Sequence, residues 1–146
     1  TPITTHTTLG KLGAEQIALF KKQNVDLGRI CIGHLDLSGD MDYILKILES
    51  GAYVEFDTIG KNNYMPDDVR ISMLQEIEKR NLIDRIFFSM DITRKSNMEH
   101  KGGIGYCYLF DTFIKNLLGA GFKASSIEKI LKENPKKFYG QTEDKH

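Results

Sequence analysis

Ile30-Cys31-Ile32-Gly33-His34 is a short apolar run, rich in β-branched residues, that stops on a side chain able to bind a metal. Three other runs are built the same way: Ile3-Thr4-Thr5-His6, Tyr53-Val54-Glu55-Phe56-Asp57 and Phe87-Phe88-Ser89-Met90-Asp91. Each is too short for a helix and is composed like a strand. Between them lie stretches with helical periodicity, so the chain reads as four βα units, each repeating at the ~30 residues that a βαβ unit needs.

Parallel strands linked in this way bring their C-terminal ends to one face, where the catalytic residues of a (β/α) barrel collect. The expected helices cover 13–23, 40–51 with Asp40 as cap and Gly51 as stop, 67–81, and 108–118. A last helix is expected over 125–133, capped by Ser125 and ended by Asn134-Pro135, with Phe138 packing back on the barrel. The polar stretch 92–105 carries Gly102-Gly103-Ile104-Gly105, which follows no strand and reads as a flexible loop rather than a dinucleotide fingerprint.

The chain has 146 residues, enough for one domain. A complete eight-stranded barrel typically needs about 250. The expectation is therefore an α/β half-barrel, the last four βα units of a (β/α)8 TIM-barrel enzyme, over 1–140, with a polar tail at 141–146. The opening Thr1-Pro2, directly on a strand and without Met, reads as a fragment boundary.

Twenty basic and twenty acidic residues cancel, so no net field favours nucleic acid or an anionic membrane. No apolar run approaches the ~20 residues of a membrane span. Cys31 and Cys107 show no CxxC spacing, and buried, reduced thiols in a cytoplasmic protein are expected.

Two histidines at equivalent ends of neighbouring parallel strands can converge on one divalent ion, although either alone could be a core or surface histidine. Asp91 adds a hard oxygen donor and a carboxylate that can take the proton of a metal-activated water. Its alternatives are a helix cap or an ion pair with Arg94. Lys61 and Arg94 follow the third and fourth strand ends, and cations on the catalytic face favour an anionic substrate group.

Thr4-Thr5-His6-Thr7, Ile32-Gly33-His34-Leu35-Asp36, Glu55-Phe56-Asp57-Thr58-Ile59-Gly60-Lys61 and Ser89-Met90-Asp91-Ile92-Thr93-Arg94-Lys95 resemble the last four strand motifs of the phosphotriesterase family of amidohydrolases. The resemblance runs from Thr1 to about Phe138. It implies a binuclear centre, usually zinc, in a distorted (β/α)8 barrel, with His6 and His34 on one metal and Asp91 on the other. It also implies that Lys61 and Arg94 hold the phosphate of a phosphorylated sugar lactone. The remaining ligands, a His-x-His pair and a bridging carboxylated Lys or Glu, have no counterpart in the 146 residues. Leu37 and Thr58 stand where the phosphotriesterases carry an acidic residue and a His, which argues against triester hydrolysis as the main task.

The reading is a metal-dependent hydrolase of small esters or lactones, phosphorylated ones among them, using a metal-activated hydroxide. Its partners are a small-molecule substrate and either a missing N-terminal half or a second copy. The alternatives are a promiscuous phosphotriester hydrolase, a catalytically incomplete half-barrel, and a metal-free sugar-phosphate barrel.

Overall fold

The computed structural model describes residues 1–140; the polar tail expected at 141–146 lies outside them. Among the described residues the strands are β1 (Ile3–Thr5), β2 (Ile30–Ile32), β3 (Tyr53–Phe56) and β4 (Ile86–Phe88). They form one parallel sheet in the order β1-β2-β3-β4. The connections carry α1 (Gly13–Lys22), α2 (Met41–Glu49) and α3 (Asp67–Lys79). A parallel sheet must be covered on both faces, which is why its strands read as continuous apolar runs.

Period-two alternation divides the strand residues between two layers. Ile30, Ile32, Val54, Phe56 and Ile86 are fully buried in the main core, with Ile44, Leu48, Leu74 and Ile77 of the covering helices. Cys31, Tyr53 and Phe87 turn to the other layer and pack with Phe138. There the Tyr53 and Phe87 rings stack at 4.9 Å, and Phe138 meets them edge-on at 4.9 and 5.2 Å.

Local chemistry sets the helix ends. Asp40 caps α2 by accepting from the Tyr43 N–H at 3.0 Å. At α1, Leu12 has no capping side chain, and the Tyr43 hydroxyl of α2 accepts from the Gly13 N–H at 2.6 Å instead. Two neighbouring elements are thereby locked by one residue.

The C-terminal region departs from expectation in four respects. The last helical stretch starts at α5 (Ala124–Glu128), after α4 (Ile114–Gly119), and Ser125 does not cap it, since the N-cap position is Lys123. It continues through a wide turn, Lys129–Glu133, into α6 (Asn134–Tyr139), so Asn134-Pro135 does not end it. A π-type turn removes the regular i−4 pairing that a mid-helix Pro would break. The buried Asn134 side chain also pins the segment, donating at 2.8 Å to the carbonyls of both Ile83 and Ile86. Within the glycine stretch Gly103 is packed, since a Cβ there would lie 2.2 Å from the Asn97 carbonyl carbon, while Gly102 stands in open space. Finally, Cys31 is buried but Cys107 is exposed. No helix among the described residues is long and apolar enough to cross a membrane.

Candidate metal centre

The four strand ends converge because β1 to β4 are parallel and adjacent. Gly33 extends the ladder, donating its N–H to the Thr5 carbonyl at 2.9 Å. A Cβ at Gly33 would lie 2.6 Å from that same oxygen, so only glycine lets the two strand ends approach this closely. Thr7 ties the next step, donating its hydroxyl to the Gly33 carbonyl at 2.7 Å. The His6 and His34 rings are thereby brought to 4.7 Å between centroids, at an interplanar angle of 83°.

His34 is held from behind. Its backbone is left-handed, φ 60°, an uncommon state for a residue with a side chain. The Asp57 carboxylate stabilises it by accepting from the His34 N–H at 3.0 Å and from ring Nδ1 at 2.7 Å. With Nδ1 as donor, Nε2 keeps its lone pair for a ligand; a carboxylate behind a histidine is the usual support of metal-binding imidazoles. Burial, and then the negative charge of Asp36, push the Asp57 carboxyl up to about 6, against the pull of His34. Beneath it Glu55 is pushed up to about 7 by burial first and then by Asp57.

Asp91 reaches the same place from the far strand. A cleft of about 190 Å³ is lined by His6, His34 and Asp91, with Leu9, Leu37, Thr58 and Tyr64 around them. Asp91 is also left-handed, φ 46°. Its carboxylate and its main-chain carbonyl both accept from the Lys61 ammonium. Lys61 is thus tied to Asp91, and Asp91 neither caps a helix nor pairs with Arg94.

Arg94 does not line this cleft. It is exposed and borders a neighbouring recess with Ile92, Lys95, Met98, His100 and Tyr106. Its N–H donates to the Asn97 side chain at 3.1 Å.

A buried ionic network behind the cleft was invisible to strand-end reasoning. Arg70 of α3 has a fully buried side chain. It donates to Asp36 at 2.7 Å, Asp67 at 2.8 Å, the Met65 carbonyl at 2.6 Å and the Thr58 hydroxyl at 2.6 Å. Thr58 in turn donates to Asp36 at 2.7 Å, and Tyr108 donates to Asp67 at 3.0 Å. One guanidinium thus joins the segments that follow β2 and β3, and Tyr108 ties the segment after β4 to them through Asp67. Because the Thr58 hydroxyl is engaged in this network, it is not free to carry a proton at the cleft.

The donors suit a divalent ion in kind, two imidazoles and a carboxylate on one cleft. In number they fall short: among the described residues no three His, Cys, Asp or Glu side chains are grouped closely enough to hold a metal ion. The strand-end pattern included Asp57 without giving it a role, and alternation along Tyr53-Val54-Glu55-Phe56-Asp57, which puts Glu55 and Asp57 on the face opposite Val54 and Phe56, is the signal that could have found both.

Comparison with known proteins identifies the family and the fold. A model of the phosphotriesterase family matches residues 1–139. The phosphotriesterase homology protein of Escherichia coli is 49% identical over 138 residues, which are 94% of this chain and 47% of that protein. Its crystal structure, complexed with phosphate in the active site, superposes with a TM-score of 0.92. The aryldialkylphosphatase of Saccharolobus solfataricus is 32% identical, again over 94% of this chain and 47% of its own length. A lactonase of Listeria monocytogenes superposes with a TM-score of 0.89 at 30% identity, over 95% of this chain and 44% of its own. The four βα units are those of a (β/α)8 TIM barrel, and the chain spans about half the length of the curated relatives it matches.

Proposed function

Because the chain belongs to the phosphotriesterase family, we propose that it contributes one wall of the active site of a metal-dependent hydrolase acting on small carboxylic esters or lactones, including phosphorylated ones. The observation that carries this reading is the pairing of His6 with a His34 ring anchored by Asp57, in the cleft that Asp91 also lines. In it, His6 and His34 would hold one ion through neutral imidazole nitrogens, and Asp91 would hold a second and take up a proton from water at the cleft. Zinc is an ion that imidazole and carboxylate ligands both suit. Bound there, it would supply Lewis acidity toward the substrate carbonyl and a nucleophilic hydroxide near neutral pH.

The chain's own residues do the rest. Asp57 fixes the His34 tautomer, Leu9, Leu37 and Tyr64 offer apolar surface to the substrate, and Lys61 and Arg94 attract an anionic group. The phosphate in the active site of the Escherichia coli relative supports the anionic assignment. Phosphotriester hydrolysis is the second reading, supported by the aryldialkylphosphatase relative. The engaged Thr58 hydroxyl and the apolar Leu37 count against it as the main activity.

The test uses the full-length protein containing this chain. Wild type should bind zinc in molar proportion and open lactones, and His6→Ala should lose both metal and turnover. Retention of full metal content in His6→Ala would overturn the ligand assignment.

A further inference from the structure

While they are bonded to each other, Lys61 is not free as an anion contact and Asp91 is not free as a metal ligand. The ammonium donates both to the Asp91 carboxylate and to the Asp91 carbonyl. It is held in the protein rather than solvated, the Lys61 side chain being 11% exposed against 33% for Asp91. The partners come from different loops, one after β3 and one after β4. Lys61 is fixed locally by a turn, its N–H donating to the Thr58 carbonyl at 2.9 Å, and Thr58 is itself held by Arg70 and Asp36. The pair is therefore a built contact between two loops, behind the Asp91 wall of the cleft.

A divalent ion on the Asp91 carboxylate would face this ammonium within a few ångströms, in a partly buried place where screening is weak. A lysine that is bonded to Asp91 also has fewer donors to offer a substrate. From these two facts we propose that Lys61 is the counter-ion a metal must displace from Asp91, so that metal entry and the release of Lys61 toward an anionic substrate group are one coupled event. The inference rests on the metal reading above and adds an order to it. The Asp91 position fills at the expense of the ion pair, and the anion contact matures only afterwards. By linkage, an anion that engages the freed ammonium must tighten the metal by the same factor as the metal tightens the anion.

The experiment is calorimetric titration of the demetallated full-length protein with zinc, in the wild type and in Lys61→Met, Lys61→Arg and Asp91→Asn. Asp91→Asn identifies the binding step that uses Asp91. For that step, Lys61→Met should bind zinc about tenfold more tightly or better, since a charged hydrogen bond no longer competes. Lys61→Arg, which keeps the cation, should stay near wild type. Inorganic sulfate should tighten zinc in wild type more than in Lys61→Met. If Lys61→Met does not fold, Lys61→Gln removes the charge with a polar chain, and the same shift is expected.

Equal or weaker zinc affinity in the uncharged variants, with wild type binding normally, overturns this inference and leaves the metal reading standing. An equal sulfate effect in wild type and Lys61→Met overturns the coupling to an anion. A wild type that takes up no zinc removes the metal reading, and this inference with it.

Discussion

Asp57 binds His34 twice, at the ring Nδ1 by a 2.7 Å bond and at the backbone N–H by a 3.0 Å bond, so one carboxylate sets both the ring orientation and the unusual backbone of its neighbour. Asp57→Asn keeps the shape but can present an amide donor to Nδ1 and favour the wrong tautomer. Zinc affinity of the full-length protein should fall by about 10- to 100-fold, the usual cost of removing such a support. Calorimetry reads this directly, and an unchanged affinity would mean that Asp57 only braces the backbone.

Arg70 neutralises Asp36 and Asp67 where both are buried. Arg70→Met strands two carboxylates without their cation and should cost about 3–5 kcal/mol, as broken buried ion pairs do. Urea unfolding monitored by circular dichroism gives the value. The double variant Arg70→Met/Asp36→Asn should recover part of the loss.

Glu55 titrates higher in the folded protein, at about 7, than its ordinary value of 4.5. Above 4.5 the unfolded chain has given up this proton while the folded chain still holds it, so ionisation increasingly favours unfolding. Stability of the metal-free protein should fall as pH rises from 4.5 to about 7 and level off beyond, with Asp57, raised to about 6, adding to the lower part of that window. Unfolding midpoints across this range should flatten in Glu55→Gln. A slope that persists undiminished would assign the effect to other groups.

Arg94 sits beside the cleft rather than in it. In the full-length enzyme Arg94→Ala should lower kcat/KM for a phosphorylated lactone by roughly 2 kcal/mol, the scale of a charged hydrogen bond, and leave a neutral lactone almost untouched. Equal losses on both substrates would assign Arg94 to the loop's structure instead.

The strands and the first three helices were legible because their patterns are local. Alternation, Asp40 and Gly51 carry their own physics in adjacent residues. The strand-end residues His6, His34 and Asp91 were legible because parallel pairing turns sequence position into spatial position. Arg70 was not, since on α3 it is one charge among many, and nothing nearby in sequence says that Asp36, 34 residues away, lies beneath it. The hold of Lys61 on Asp91, 30 residues away, is likewise a contact between loops whose paths only the fold decides. Ser125 misled as a cap because the helix starts one residue earlier, at Ala124, with Lys123 in the N-cap position.

The layer that Phe138 closes with Tyr53 and Phe87 makes the chain its own reporter. Cys31 lies fully buried in that layer, its thiol pushed well up by burial, while Cys107 is exposed. A thiol reagent should mark Cys107 at once and Cys31 only when Phe138 lifts away. The delay between the two labels is a clock for the opening of the C-terminal helix, with its zero set by the same molecule.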